Sequence, residues 1–335
     1  MYRRIFAEDS DVADDDVAGH LGGALGAQQR DGHRGRLPVA GTGRGEKAVR
    51  LTFCGVRGST PAPGSAFART GGHTSCVAVQ HDREPVRLFL DGGSGLQVAG
   101  DLVADPFDGT VLLGHLHWDH THGLPFFAAG AAPGSQVRVL LPDQGVDAEQ
   151  LLARAFSPPH FPVTPRQLGP GWSFGSVQEG WFVAEGFEIL AREIPHKGGR
   201  TFGYRVTSGA ASAAYLSDHD PVALGPGSDG LGARHEATLA LVEGVDVLVH
   251  DAQFRAAEFP AVAHLGHASI EYALALGRKC GVGTVVLFHH APTRTDDELD
   301  RLRDEYRSEA PAMVVAVEGT VLEVASGSVS PRGSG

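Results

Sequence analysis

From Val49 onward the chain alternates between short apolar runs and segments bounded by Gly, Pro or Asp. Apolar runs of about four to eight residues predict β-strands, and longer stretches with a 3.6-residue apolar period predict helices. The predicted strands are residues 50–53, 75–80, 86–90, 110–113, 136–141, 187–193, 202–207, 213–216, 245–250, 284–288 and 312–317. The predicted helices begin near Gly95 and Thr121 and cover residues 235–242, 269–279 and 296–309. Strand-rich halves interleaved with helices predict packed sheets with helices on their outer faces.

Both ends of the chain lack this periodicity. Residues 1–48 contain an acidic run, Asp14 to Asp16, among many Gly, Ala and Arg residues, and residues 326–335 are rich in Ser and Gly. Such segments bury too little apolar surface to offset the entropy of ordering them. We therefore predict a disordered N-terminal extension over residues 1–48, one folded domain over residues 49–325 and a flexible tail over residues 326–335.

The N-terminal extension is predicted to be dispensable. A shortened chain that begins at Val49 should fold and keep its activity, because the removed residues offer no apolar period for packing. The thermal unfolding and the turnover of the shortened chain would be compared with those of the full chain. Failure to fold, or loss of turnover, would show that the extension is structural.

Composition narrows the class of protein. Hydrophobic residues make up 42% of the 335 residues, enough for a sizeable core, and no apolar run approaches the ~18 residues of a membrane span. Three cysteines without CxxC spacing predict buried free thiols, and the charged N-terminus has no apolar stretch behind it, so we predict a cytoplasmic protein. The net charge of -12 disfavours a broad surface for nucleic acid but not a small phosphate ester.

The strongest chemical signal is the sequence GHLHWDH at residues 114–120, directly after an apolar strand. Residues two apart in an extended chain point the same way, so His115 and His117 can bind one metal together. Where the chain turns into a helix, Asp119 and His120 swing to a neighbouring position that suits a second metal. Four metal-competent side chains in six residues favour a metal site over a solvated histidine-rich loop.

This H-x-H-x-D-H motif resembles that of the metallo-β-lactamase superfamily. The similarity extends over most of residues 51–324, and it is greatest to the branch that contains tRNase Z and the cyclic-phosphate phosphodiesterases. The resemblance implies an αββα sandwich, in which two packed mixed β-sheets are flanked by helices and the metals lie at one edge. Residues 49–325 would then form a metallo-hydrolase domain.

Three further segments resemble parts of the family's metal site. They are Pro195-His196 followed by FGYR at residues 202–205, YLSD ending at Asp218, and VVLFH ending at His289. The resemblance implies that the first metal is held by His115, His117 and His196, the second by Asp119, His120 and His289, and that Asp218 bridges them. His290 stays open as the alternative to His289. Ligands of these types favour two zinc ions, with manganese or iron as alternatives.

The resemblance also implies a mechanism. A hydroxide shared by two metals about 3.5–4 Å apart would attack phosphorus. Residues 266–283 resemble the tRNase Z stretch in which a histidine assists catalysis, which assigns to His267 the protonation of the leaving group and to Asp251 the orientation of His267. Asp119 is assigned a catalytic role besides ligation. The alternative for His267 is a helix N-terminal residue bonded to the backbone.

Other polar residues near these motifs receive supporting roles. Asp91, in the segment LDGG, is predicted to order the metal loop rather than to bind metal. Histidines near the motifs are predicted to support the site or line the substrate at most; they are His73, His122, His160 and His219. The proline-rich residues 157–165 are predicted to form a stiff flap over the site.

The predicted function is hydrolysis of a small cyclic or diester phosphate, such as a cyclic nucleotide or a phosphoribosyl cyclic phosphate. One alternative is a tRNase Z-like ribonuclease. Many tRNase Z members insert a tRNA-clamping arm between the GYR strand and the bridging acid, whereas Arg205 and Asp218 are joined here only by residues 206–217. The other alternative is a non-catalytic metal-containing sensor or binding module. We expect neither membrane nor nucleic-acid partners and leave a homodimer open.

Overall fold

The computed structural model describes residues 48–332. Its strands are β1 Val49–Gly55, β2 Cys76–His81, β3 Leu88–Leu90, β4 Asp108–Leu112, β5 Gln136–Pro142, β6 Trp172–Val177, β7 Gly180–Ala184, β8 Phe187–Ile194, β9 Thr201–Ser208, β10 Ala211–Leu216, β11 Val247–Asp251, β12 Thr284–Phe288, β13 Ala312–Val315, β14 Val321–Ala325 and β15 Ser328–Arg332. Its α-helices are α1 Trp118–Thr121, α2 Ala148–Ala155, α3 Glu236–Val242, α4 Phe259–Val262, α5 Ile270–Cys280 and α6 Asp296–Tyr306. Short 3₁₀ turns cover Ser65–Phe67, Ser94–Gln97, Ala99–Leu102, Leu124–Phe126, Pro165–Leu168, Pro221–Leu224 and Ala263–Leu265.

The strands form two mixed sheets. The first has the order β15-β14-β1-β2-β3-β4-β5-β6, and the second has the order β13-β12-β11-β10-β9-β8-β7. Strands β3 to β6 run parallel, as do β10 to β13, whereas the hairpins in each sheet are antiparallel. Parallel strands end at one edge of a sheet, so the residues that follow β10, β11 and β12 come together there.

Three apolar layers hold the sheets and helices together. Phe53 of β1 and Phe288 of β12 meet between the two sheets, with ring centroids 6.1 Å apart. On the outer face of the second sheet, Leu248 packs with Leu274 in a cluster to which helices α3, α5 and α6 contribute. Leu152 of α2 covers the outer face of the first sheet. The predicted αββα sandwich is therefore confirmed.

Several element boundaries differ from the predictions. The helix expected from Gly95 is instead two 3₁₀ turns, in a stretch interrupted by Gly93, Gly95 and Gly100, which weaken a helix. The helix expected near Thr121 begins at Trp118 and ends at Thr121, because a glycine and a proline soon follow. No prediction covered α2, α4, β6, β7 or β14. Strands β6 and β7 are half-exposed at the sheet edges, so their sequences lack a continuous apolar run.

Part of the segment predicted to be a flexible tail, residues 326–335, forms strand β15, Ser328–Arg332. Strand β15 pairs antiparallel with β14 along Val321 to Ala325, and Gly327 adopts a φ of 75° in the turn that joins them. Alternating Ser and Val can pair at a sheet edge without burying an apolar run. The predicted extension lies, except for Ala48, outside the described residues, as do the last three residues of the tail. No helix in the described part of the chain is both long and apolar enough to cross a bilayer.

Candidate metal centre

The seven predicted ligands come from loops that follow strands of both sheets. His115 and His117 follow β4, and α1 carries Asp119 and His120. Two hydrogen bonds tie this loop to the FGYR segment of β9: Tyr204 Oη donates to the Leu113 carbonyl at 2.7 Å, and Phe202 N donates to the Gly114 carbonyl at 2.9 Å. Through these bonds β9 fixes the loop of the first sheet against the second sheet, which carries the remaining ligands.

The first ligand group consists of His115, His117, His196 and Asp218, whose ligand atoms all lie within 4.8 Å of one another. His196 Nε2 lies 3.3 Å from His117 Nδ1 and 3.4 Å from Asp218 Oδ2, and His115 Nε2 lies 3.7 Å from the same oxygen. Ligands at about 2.0–2.1 Å from a tetrahedral ion are about 3.3 Å apart. The spacing therefore matches the coordination shell of one small divalent ion.

The second group consists of Asp119, His120, His289 and again Asp218. His289 Nε2 lies 3.1 Å from both Asp119 Oδ2 and Asp218 Oδ1, and His120 Nε2 lies 2.9 Å from Asp218 Oδ1. Asp218 therefore turns Oδ2 toward the first group and Oδ1 toward the second. This is the geometry expected of a carboxylate that bridges two ions.

Unpaired polar atoms test whether these residues fit metal ions. Both ring nitrogens of His115, Nε2 of His120 and Oδ1 of Asp218 are buried, and none has a hydrogen-bond partner among residues 48–332. Although the last two atoms are 2.9 Å apart, their geometry is not that of a hydrogen bond. Each unpaired buried group costs about 1–3 kcal/mol. Divalent cations between these residues would satisfy Nε2 of His115, Nε2 of His120 and Oδ1 of Asp218, so the residues present fit two ions.

The electrostatics of the cluster also favour added positive charge. Burial lowers the pKa of His115 well below its usual value, so this ring is neutral, as a ligand must be. Burial has the same effect on His120, but the carboxylates of Asp119, Asp218 and Asp91 outweigh it and raise the pKa of His120 well above its usual value. Without metal, these carboxylates favour the protonated, positively charged form of His120. Divalent ions would supply that positive charge in its place.

Asp91 supports the cluster from behind. This fully buried carboxylate accepts hydrogen bonds from Gly114 N at 2.6 Å, His120 Nδ1 at 2.7 Å, Tyr215 Oη at 2.8 Å and Ser217 Oγ at 3.0 Å. It thus fixes the start of the histidine loop and leaves Nε2 of His120 for a metal. The structure gives Asp91 the ordering role expected for it.

Replacing Asp91 should weaken both the fold and metal binding. Asp91→Ala leaves four buried donors without an acceptor, so we expect a loss of about 3–5 kcal/mol in the free energy of unfolding, as for a broken buried pair. Metal affinity should fall roughly 10–100-fold because His120 loses its orienting partner. Denaturant unfolding and metal titration measure the two effects. In the matched control, Tyr215→Phe removes only one donor and should cost about 1 kcal/mol. Unchanged metal affinity in Asp91→Ala would contradict the supporting role.

The structure distinguishes His289 from His290. His289 has a φ of 57° and lies in the second ligand group, whereas His290 Nε2 lies 2.9 Å from the Ala316 carbonyl, away from the cluster. Burial lowers the pKa of His290 to about 3, so it is a neutral packing residue. A Cβ on Gly58 would lie 2.4 Å from His289 Nδ1, which explains a glycine at that position. The next residue, Ser59, donates its backbone N–H to Asp119 Oδ2 at 2.6 Å.

His267 and Asp251 lie beside the cluster as a hydrogen-bonded pair. His267 Nδ1 lies 3.0 Å from Asp251 Oδ2 and 3.7 Å from Asp218 Oδ2. Burial lowers the pKa of His267, but Asp251 outweighs it and raises that pKa to about 9, so the ring is protonated at neutral pH. Bound cations would bring this pKa back toward neutrality, where a general acid works best. Asp251, His267 and His289 also form a third group with ligand spacing, so ligation is the competing role for His267.

Two supporting residues, Gln253 and His235, were not found from the sequence. Gln253 Nε2 lies 3.3 Å from His289 Nδ1, and the buried His219 lies 3.1 Å from both His250 Nε2 and His235 Nε2. These residues come from different loops, so no spacing in the sequence connects them. His219 directly follows Asp218 and contacts both His250 and His235, which agrees with the supporting role predicted for His219.

The cluster opens into a cavity of about 420 Å³. His117, Asp119, His196, Asp218 and His267 line this cavity together with Ser59, Leu116, Trp118, Lys197 and Leu265. Both ligand groups and the His267–Asp251 pair can therefore act on one small molecule.

Comparisons with known proteins identify the family of the chain. The profile described as beta-lactamase superfamily domain matches residues 97–290. Ribonuclease BN of Escherichia coli O127:H6 (strain E2348/69 / EPEC) is 36% identical over 89 residues, which are 27% of this chain and only 29% of that protein. Ribonuclease BN of Salmonella paratyphi C (strain RKS4594) is 25% identical over 296 residues, covering 73% of this chain and 92% of that protein.

Solved structures share the fold at low sequence identity. The metallo-beta-lactamase fold protein YhfI from Bacillus subtilis superimposes with a TM-score of 0.61 at 20% identity, over 82% of this chain and 98% of that one. A diphosphatase from the PhnP family gives 0.61 at 18% identity, over 83% and 98%. The short form of human tRNase Z gives 0.57 at 19% identity, over 81% and 98%. The matched profile, the sandwich and the His/Asp clusters agree, and the chain belongs to the metallo-β-lactamase superfamily of hydrolases.

Proposed function

We propose that this protein is a dinuclear metal-dependent phosphodiesterase that acts on a small cyclic or diester phosphate. The observation that carries the proposal is the shared carboxylate of Asp218, which faces two ligand groups at the floor of one cavity that also holds His267. Two ions at this spacing suit the displacement of an ester at phosphorus. We propose zinc as the ion, because histidine and aspartate ligands at tetrahedral spacing suit it, with manganese or iron as alternatives.

Each ligand and each polar neighbour then has a chemical task. When bound, two divalent ions would withdraw charge from the phosphate oxygens and make water a better nucleophile at neutral pH. Asp218 and Asp119 hold the negative charge that keeps those ions in place. His267 donates a proton to the departing alkoxide, and Asp251 fixes its tautomer, because Nδ1–H of His267 points at Asp251 and leaves Nε2 for the substrate.

The small-substrate reading is supported by the connection that precedes Asp218. Strands β9 and β10 are joined by Gly209 and Ala210 alone, so no arm extends from this hairpin. The net charge of -12 also opposes the capture of a long polyanion. The small cavity and the three buried free cysteines are in keeping with a cytoplasmic enzyme of small phosphate esters.

A tRNase Z-like ribonuclease remains the second candidate, because the relative that matches 73% of this chain carries the name Ribonuclease BN. A non-catalytic sensor is the third candidate. It is less well supported, because a protein that only binds has no use for a proton donor such as His267 beside the bridging carboxylate.

The test compares three classes of substrate with metal-loaded protein. We expect steady turnover of bis-p-nitrophenyl phosphate and of a cyclic nucleotide, and little turnover of the monoester p-nitrophenyl phosphate or of a precursor tRNA. A preference for precursor tRNA would support the ribonuclease instead. A protein that binds two metals and hydrolyses none of these esters would support the sensor and overturn the proposal.

A further inference from the structure

A second cavity, of about 620 Å³, adjoins the metal cavity. Trp118 borders both cavities, and Phe126, Phe156 and Phe161 are among the other residues that line the second, which we call the aromatic cavity. We infer that this aromatic cavity receives a flat heteroaromatic ring of the substrate, so that the enzyme acts on base-bearing phosphodiesters, such as nucleotides, rather than on alkyl or sugar-only esters. The inference rests on the proposed phosphodiesterase function and names its substrate class.

Trp118 lies at the boundary between the metal cavity and the aromatic cavity. It lies between His117 and Asp119 in the sequence, and the residue is 66% exposed, so its ring is accessible to a ligand. Its indole stacks on His122, one turn later, with centroids 5.7 Å apart and planes 18° from parallel. The two side chains are therefore already ordered in the free protein. A ring that stacks on them loses little binding free energy to the ordering of side chains.

The opposite walls of the aromatic cavity come from two other segments. Phe161 meets Phe126 edge-to-face, with centroids 5.8 Å apart and an interplanar angle of 87°, and it meets Phe156 at 6.1 Å and 82°. Phe161 belongs to the proline-rich stretch expected to form a flap. This stretch lines the aromatic cavity instead of covering the metal cluster.

Polar side chains that line the aromatic cavity can form hydrogen bonds with the edge of a bound heteroaromatic ring. The side chains of Gln97, Arg154 and His160 line it, and within residues 48–332 none of them makes a hydrogen bond or an ion pair. A purely apolar ligand would leave these donors and acceptors unused, whereas the nitrogens and exocyclic groups of a base can pair with them. Aromatic faces with a few free polar groups are the usual composition of a site for a heterocycle, and the volume lies within the usual range.

The position of Trp118 connects this cavity to the reaction. A phosphodiester has two ester groups, and at the metal cluster one of them leaves after protonation by His267. The ring-bearing part of the molecule can then extend across Trp118 into the aromatic cavity while phosphorus stays beside Asp218. Stacking a base on an aromatic side chain is worth roughly 5- to 150-fold in affinity, enough to set substrate preference.

The test uses Trp118→Ala, Trp118→Phe and the matched control Trp181→Ala, which removes a tryptophan on β7 that is 62% exposed. The substrates are 3′,5′-cyclic AMP and the ring-free glycerol 1,2-cyclic phosphate. In Trp118→Ala we expect KM for cyclic AMP to rise at least roughly tenfold with little change in kcat, so that the preference for cyclic AMP falls by the same factor. Trp118→Phe should restore most of the preference, and Trp181→Ala should leave it unchanged.

AMP binding, measured by calorimetry on the metal-loaded proteins, gives a readout independent of turnover. We expect its affinity to fall at least roughly tenfold in Trp118→Ala. If Trp118→Ala raised KM equally for the two esters, or left the affinity for AMP unchanged, the proposed ring-binding role of the aromatic cavity would be wrong. If the unmodified protein hydrolysed neither ester but bound AMP through Trp118, the phosphodiesterase proposal would fail while the ring-binding cavity stood.

Discussion

Asp218→Ala is expected to lose at least one metal ion per chain and nearly all turnover. Asp218 Oδ2 faces the first ligand group and Oδ1 faces the second, so the substitution removes a ligand from both. Turnover should fall by more than roughly 10³-fold, because the loss exceeds that of a single transition-state hydrogen-bond donor. Elemental analysis of the purified variant and its rate on bis-p-nitrophenyl phosphate measure the two effects.

The control for this experiment is Asp101→Ala, which removes an exposed carboxylate from the turn Ala99–Leu102. It should keep its metal and its rate. Circular dichroism should show that Asp218→Ala still folds, because its position is held by backbone pairing of β10 with β9 and β11. Full metal content together with normal turnover in Asp218→Ala would exclude a bridging role.

His267→Ala is expected to keep both metals while losing rate according to the leaving group. On a cyclic or alkyl diester the rate should fall roughly 10²–10⁴-fold, the usual worth of a positioned general acid. On bis-p-nitrophenyl phosphate the fall should be far smaller, because p-nitrophenolate leaves without a proton. The ratio of the two rates, measured alongside the metal content, distinguishes an acid from a ligand.

The pH profile provides a second readout for His267. The acid form is the active one, so the rate on an alkyl diester should fall as the pH rises through the pKa of His267, which Asp251 raises. This alkaline limb should be absent from His267→Ala. Equal losses on both substrates, or loss of metal, would assign His267 to ligation with Asp251 and His289.

Local patterns led to the pairing of His115 with His117, and the family resemblance led to Asp218 and His289. His115 and His117 share a side because an extended chain repeats every two residues, and Asp218 and His289 follow apolar strands whose carboxyl ends share one edge. The choice between His289 and His290 was beyond the pattern. It depends on the φ of 57° at His289 and on the room that Gly58 and Gln253 leave for that ring, which no local pattern shows.

Features that need several distant segments were not predictable in the same way. The aromatic cavity joins Trp118, Phe126 and Phe161, none of which shares an apolar period with the others. The half-exposed edge strands β6 and β7 were not predicted either. Each is stabilised by pairing with a neighbouring strand rather than by a buried face. The role of Asp91 could be expected in outline, but its four donors come from two distant segments, residues 114–120 and residues 215–217.

The central claim is a catalytic centre of two metal ions, and a titration tests it most directly. Metal-free protein, prepared with a chelator, would be titrated with zinc while the hydrolysis of bis-p-nitrophenyl phosphate is followed. Two ligand groups that share Asp218 predict no turnover without metal and a plateau at two equivalents per chain. Turnover by the metal-free protein, or a plateau at one equivalent, would contradict the account.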